Sequence, residues 1–381
     1  MQVEQLVGVA RSLAASQLSR GAEQIDATAS WPEENMRGLA EAGLMGLHVP
    51  VEYGGHGQGL VALAMIGEEL ATGCSSTAMC FGMHSVATKV LAAKATPDQA
   101  ERFLRPIAAG QHITSLALSE PGTGVNFFLP RAQYTATGKE FILSGQKSFV
   151  TSGGHADSYV VSCVPPGSEL DPGAFTCMVV EGERAGLDWQ QAWHGMGMRG
   201  NSSRAVKLTE VAVPKANLIG SEGDQIWYIF EVVAPYFLIA MSGVYLGIAR
   251  RALEATTDHL KSRQHEHTGD KLSDLSVLQH QVANAWIDLQ ATRQLVHYAA
   301  RRADAGASDA TLALFAAKAR VGDMAGAVTT ACMEMMGGRG YSENSVVARL
   351  HRDALAAPVM SPTTHLLKGW LGRSLLDLPV I

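Results

Sequence analysis

Several groups of residues in this chain have the types and spacing that chemistry needs. Ser119-Glu-Pro-Gly-Thr-Gly124 sets hydroxyls and a carboxylate among small residues, where a backbone can approach a ligand closely; by itself it reads equally as a plain hairpin loop. Gly337-Gly-Arg-Gly-Tyr341 follows a helical stretch; it reads as a helix C-cap, with close approach to a phosphate-bearing ligand as the alternative. Gly195-Met-Gly-Met-Arg-Gly200 matches G-x-G-x-x-G, but residues 188–194 are no apolar strand and 201–208 read as a strand rather than a helix. A turn therefore explains it better than a dinucleotide-binding crossover. His265-Glu-His267, with His259 nearby, lies in a polar stretch between long helices, without the further spacing a metal site needs. Neither a P-loop nor a G-x-S-x-G elbow is present.

The elements that must position these groups fall into three blocks. Up to about residue 112, turns separate apolar-striped helices, with Pro32 in a first turn, a helix over 33–42 ended by Gly43, and another over 60–72 that carries Glu68 and Glu69. From 113 the hydrophobic period drops to two. Short β-branched runs at 113–119, 140–143, 148–151, 158–164, 175–180 and 205–208 alternate with Gly/Pro clusters, which predicts an antiparallel barrel or sandwich. After Pro214 the helical period returns over 225–263, 275–303, 309–336 and 365–376, the pattern of a four-helix bundle. The domains expected are thus 1–112, helical; 113–222, β-barrel; and 223–381, bundle.

Composition narrows the function. The 381 residues are 47% apolar and 17% charged, which excludes a disordered chain, and a net charge of −6 without a basic cluster argues against nucleic acid. Five cysteines without a C-x-x-C spacing suggest neither a disulfide framework nor structural zinc. The uncharged run 232–249 approaches membrane length but holds Pro235, Ser242, Gly243 and Gly247, and reads as the centre of a bundle. With no signal-peptide core near Met1, a soluble cytoplasmic protein without a membrane span is expected.

In this order and spacing, the fragments resemble the acyl-CoA dehydrogenase family over essentially the whole chain. Pro50-Val-Glu-Tyr-Gly-Gly-His-Gly57, Glu68-Glu-Leu70, Leu118 through Gly124, Ser144-Gly-Gln-Lys147, Val150-Thr-Ser-Gly-Gly154, Met198-Arg-Gly-Asn-Ser-Ser203, Val213-Pro214, Asn217-Leu-Ile-Gly220, Gly337 through Tyr341 and Arg352-Asp353 carry the likeness. It implies a mostly α chain with a central β domain (α+β), in that family's order of helical domain, β barrel and four-helix bundle. It also implies FAD, with FMN as the alternative, bound between the β domain and the bundle. Ser119, Phe149 and Thr151 would then meet the ring, Thr363 would be a further flavin contact, and Gly338 would lie where the dinucleotide crosses from a neighbouring subunit.

The resemblance also marks departures. The family's catalytic glutamate position is filled by Ser361, and the alternative position on the apolar helix falls at or near Phe237, beside Tyr236. His365 and His84 remain as candidate bases. Where the family grips a pyrophosphate with arginine, this chain has His265 and His267; Glu334 replaces a glutamine, and Val125 stands where a serine is common along the thioester tail.

The leading expectation is a flavin-dependent oxidoreductase acting on an acyl thioester of CoA or an acyl-carrier protein. Electrons would pass to an electron-transfer flavoprotein, and the chain would self-associate as a homodimer or homotetramer. One alternative is a two-component monooxygenase, supplied with reduced flavin by a flavin reductase and using Ser119, Ser361 and His84 as neutral donors. The other is a non-catalytic partner subunit of a hetero-oligomer.

Overall fold

A computed structural model describes residues 1–124, 126–223 and 226–380. Helices α1 (Val3–Leu13), α2 (Ser19–Thr28), α3 (Glu33–Glu41), α4 (Leu60–Gly73) and α5 (Ser75–Lys94), with the short α6 (Pro97–Gln99) and α7 (Arg105–Ala108), form the first block. Pro32 is the N-cap of α3 rather than part of its first turn, and Glu33 and Glu34 complement the helix dipole there. Nearly all of α5 is buried, which leaves no polar face for a periodicity to reveal.

Among the described residues seven strands follow: β1 (Thr114–Ala117), β2 (Gln133–Thr137), β3 (Glu140–Val150), β4 (Ser158–Cys163), β5 (Thr176–Glu181), β6 (Leu187–Trp189) and β7 (Arg204–Pro214). They make two sheets, ordered β1-β4-β5 and β2-β3-β7-β6. The second is antiparallel as expected, but β1 pairs with β4 in parallel, which corrects the all-antiparallel reading. The β2–β3 hairpin of the other sheet lies between them in sequence and supplies the long crossover a parallel pair requires. Two expected runs merge into β3, because register shifts at Leu143/Gly145 and Lys147/Val150 interrupt the alternation within one strand. Tyr134, Phe141, Leu143, Tyr159, Val161 and Val206 fill the core between the sheets.

The last block comprises α8 (Ala234–Ser262), α9 (Ser276–Asp304), α10 (Ala310–Met336), the short α11 (Gly338–Tyr341), α12 (Val346–Ala354) and α13 (Thr364–Leu375). Helix α8 continues from a π-helical turn, Tyr228–Val233. The helix is long and apolar enough to cross a bilayer, yet 83% of its most apolar window is buried inside the chain. It lies directly against α4: a Cβ at Gly247 would overlap the Glu68 carbonyl, so only glycine permits this crossing. Glu68 and Glu69, buried on α4, bind Arg250 of α8 at 3.1 and 2.7 Å; Glu68 also pairs with Arg293 of α9, and Glu69 with Arg11 of α1. Those acids tie four helices together.

Candidate active site

A cavity of about 480 Å³ opens where β1, the end of β3, α5, the start of α8 and the loop after α12 meet. Its walls are mainly apolar: Met79 and Met83 from α5, Leu116 and Leu118 near β1, and Phe237 from α8. Ser119, Ser148, Thr151, Ser203 and Ser361 bring hydroxyls. Arg352 is the one charged lining residue among those described; no carboxylate and no histidine joins it.

A fully buried ion pair sets the β-domain wall. Lys147 Nζ donates to Glu120 Oε1 at 2.6 Å and to Ser162 Oγ at 2.9 Å. Glu120 in turn accepts the backbone N–H groups of Arg131 (2.7 Å) and Ala132 (3.1 Å). Ser148 N–H donates to the Ser119 carbonyl at 2.8 Å, so the pair fixes both wall residues that flank it. Next along β3, Phe149 adopts φ +54°, a left-handed conformation that costs a non-glycine residue about 1–3 kcal/mol. The turn leaves its ring largely exposed at the cavity mouth, edge-on to Trp193 with centroids 6.2 Å apart. Thr151 Oγ1 lies 3.3 Å from Ser203 Oγ.

The opposite wall is held by the Arg352-Asp353 pair. Arg352 pairs with Asp26 and donates to the Met196 carbonyl at 2.9 Å, while Asp353 Oδ1 accepts the Met198 N–H at 2.6 Å. Asp353 is buried, and desolvation pushes its pKa up to about 6. These bonds fasten loop 195–198, and a Cβ at Gly197 would overlap the Arg352 carbonyl. The G-x-G-x-x-G match is therefore a packed turn that ends in a 3₁₀ turn, Arg199–Asn201.

Ser119, Phe149, Thr151, Phe237 and Ser361 all line this cavity. Ser361 Oγ is buried there without a hydrogen-bond partner. The other sequence candidates lie elsewhere. Tyr236 is buried against His48, ring centroids 5.0 Å apart, with the Lys89 ammonium 5.4 Å from its ring. His365 is exposed on α13, and Thr363 caps that helix by accepting the Leu366 N–H at 3.3 Å. His265 and His267 sit on an exposed loop with rings 5.9 Å apart, and Glu334 and Gly338 are exposed at the end of α10 and the start of α11. Val125 lies outside the described residues. Sequence reasoning missed Trp193, Met79 and Met83; methionines on an all-buried helix carry no signal that separates lining from core.

His84 does not reach the cavity. Its Nδ1 accepts the Thr114 N–H at 3.1 Å and its Nε2 lies 3.0 Å from the Met45 carbonyl, so the ring is a strut between β1 and the helical block. Burial drives its pKa down to about 4, and that of His48 to about 3. Both protonate more readily in the unfolded chain, so their contribution to stability is lost as pH falls from about 6.5 through those values. His84 alone accounts for up to about 3 kcal/mol of that loss. Asp353 acts with the opposite sign, since its raised pKa favours the fold as pH falls. The expected outcome in urea titrations is that His84→Gln narrows the gap in midpoint between pH 7 and pH 4.5, relative to wild type.

The cavity suits a flat aromatic ring. Apolar side chains line it, hydroxyls edge it, Phe149 is strained at its mouth, and the Ser361 hydroxyl is unspent. The cavity lining fits a flavin ring. At the far end of α8, burial lowers the pKa of His259, helped by the charges of Arg339 and Arg263.

Comparison with known proteins agrees. Models of the acyl-CoA dehydrogenase N-terminal, middle and C-terminal domains match residues 2–111, 115–211 and 238–376. Cyclohex-1-ene-1-carbonyl-CoA dehydrogenase of Syntrophus aciditrophicus is 30% identical over 97% of this chain and 89% of its own length. Isobutyryl-CoA dehydrogenase of Bos taurus is 29% identical over 97% of this chain and 88% of its own. The solved structure of butyryl-CoA dehydrogenase from Megasphaera elsdenii superposes with a TM-score of 0.92 at 25% identity, covering 98% of each chain. The chain belongs to the acyl-CoA dehydrogenase family and has that family's fold.

Proposed function

We propose that this protein is a flavin-dependent oxidoreductase that removes two hydrogens from the α and β carbons of an acyl thioester, without a side-chain carboxylate to take the α proton. The observation that carries this reading is an apolar, hydroxyl-edged cavity in a chain of this family whose lining holds Ser361 and no acid. When bound, FAD supplies the acceptor for the β hydride. Ser119 and Thr151 would hold the ring by hydrogen bonds and Phe149 would pack on its edge, while Thr363, next to the cavity wall at Pro362, would be a further contact near the C-terminus. Gly338, His265, His267 and Glu334 would border the dinucleotide half of a flavin held by a neighbouring subunit. Phe237 would shape the acyl slot, and a water held by the unpartnered Ser361 hydroxyl would take the α proton and pass it to bulk solvent. His84 and His365 are left out of the reaction by their positions.

The thioester is one of CoA or of a carrier protein, and an electron-transfer flavoprotein reoxidises the flavin. Exposed Val277, Trp286 and Ile287 on α9 support assembly as a dimer or tetramer. The lack of an acid among the lining residues also favours a second reading, monooxygenation with reduced FMN or FAD. Mass analysis separates the two. Anaerobic incubation of the FAD-loaded protein with acyl-CoAs and ferrocenium should give thioesters lacking two hydrogens. Intact thioester there, with a gain of one oxygen only when reduced flavin and O₂ are supplied, would replace the proposal by the second reading.

A further inference from the structure

One buried charge lies behind a wall of the cavity and has no part in the chemistry above. Lys318, on α10, is wholly inaccessible to solvent. Its ammonium donates to three main-chain carbonyls, those of Ala357 (3.0 Å), Met360 (3.0 Å) and Pro362 (2.9 Å). No ion pair reaches it among the described residues. A buried ammonium without a carboxylate is costly, and a core helix would normally place an apolar side chain there. Three acceptors on one nitrogen use all three N–H groups of the charged form, and burial lowers the pKa only to about 8, so the proton is held at neutral pH.

What those carbonyls share is their segment. Residues 355–362 form the wall that includes Leu355, Val359, Met360 and Ser361, and the carbonyls of Met360 and Pro362 flank Ser361 on either side. The loop's other main-chain bonds run from Ala357 N–H to the Ala354 carbonyl, from Met360 N–H to the Ala356 carbonyl and from Thr364 N–H to the Pro358 carbonyl. Lys318 alone among the described residues binds three of its carbonyls at one atom. We propose that Lys318 is a positioning residue: its three N–H groups pull loop 357–362 into one shape and so fix where Ser361 stands in the cavity. Only the kinetic part of this inference rests on the proposed oxidoreductase function; the effect on the loop does not.

Amide hydrogen exchange read by mass spectrometry on the full-length protein tests it. Lys318→Met keeps the length and removes every donor, leaving three buried carbonyls unpaired; exchange across 355–366 should quicken at least about tenfold while β3 and β4 keep wild-type rates. Lys318→Gln keeps two N–H groups and should fall between. In the flavin-loaded enzyme, kcat should drop in the same order with KM changed by less than about threefold. Unchanged exchange at 355–366, or an equal rise along α10 and the strands, would overturn the proposal. So would failure of both variants to give a folded chain, because a positioning role confines the damage to the loop.

Discussion

Ser361→Glu should raise the rate at which an acyl-CoA bleaches the bound flavin by about 100-fold or more. The position lines the cavity, and the hydroxyl it now carries has no partner to lose. Open volume faces it, so a longer side chain need not displace neighbours. Most of the surrounding wall is apolar, which would raise the introduced carboxyl's pKa toward neutrality, where a general base works best. The gain should therefore grow as pH rises from 5 to 8. Ser361→Ala, which removes the group that orders water, should move the residual rate down by about tenfold. Stopped-flow absorbance of the oxidised flavin band reads both changes. No gain from the carboxylate, in protein that binds flavin as the wild type does, would mean that Ser361 does not face the α carbon.

Lys147→Met is expected to destabilise the chain by about 3–5 kcal/mol, because Glu120 would stay buried as an unpaired charge. Two N–H groups, of Arg131 and Ala132, would still hold that carboxylate in place, so it cannot turn to water. Adding Glu120→Leu should recover part of the loss by removing the charge, though those two N–H groups then lose their acceptor. Urea midpoints for the single and double variants measure the coupling. Because Ser119 and Ser148 flank the pair, the single variant should also bind FAD more weakly, as equilibrium dialysis would show. Equal losses from the single and double variants would deny that the unpaired charge is the cause.

The order of helical block, strands and bundle was legible because long amphipathic helices and punctuated β-branched runs leave clear periods. The bundle helices expected at 275–303 and 309–336 are found as Ser276–Asp304 and Ala310–Met336. Less visible were β2, four of whose five residues are not buried, and β6, only three residues long. The parallel β1–β4 pairing could not be read, since pairing between distant strands leaves no local pattern. Ser119, Phe149, Thr151 and Ser361, expected from motifs that keep their spacing, all line the cavity. Trp193 and the α5 methionines were not expected there, because their role depends on which buried surface happens to face a cavity. Charge type alone misled for His84: a neutral-range base in solution becomes a strut once both ring nitrogens meet main-chain groups.

This cavity is expected to oxidise an acyl thioester although its lining contains no acid. Anaerobic mixing of the FAD-loaded wild-type protein with a panel of acyl-CoAs, with no reductase present, addresses it most directly. The expected result is slow but complete bleaching of the oxidised flavin band by at least one thioester, slower still when its α carbon carries deuterium. An unchanged band across the panel, in protein that holds its flavin firmly, would contradict it.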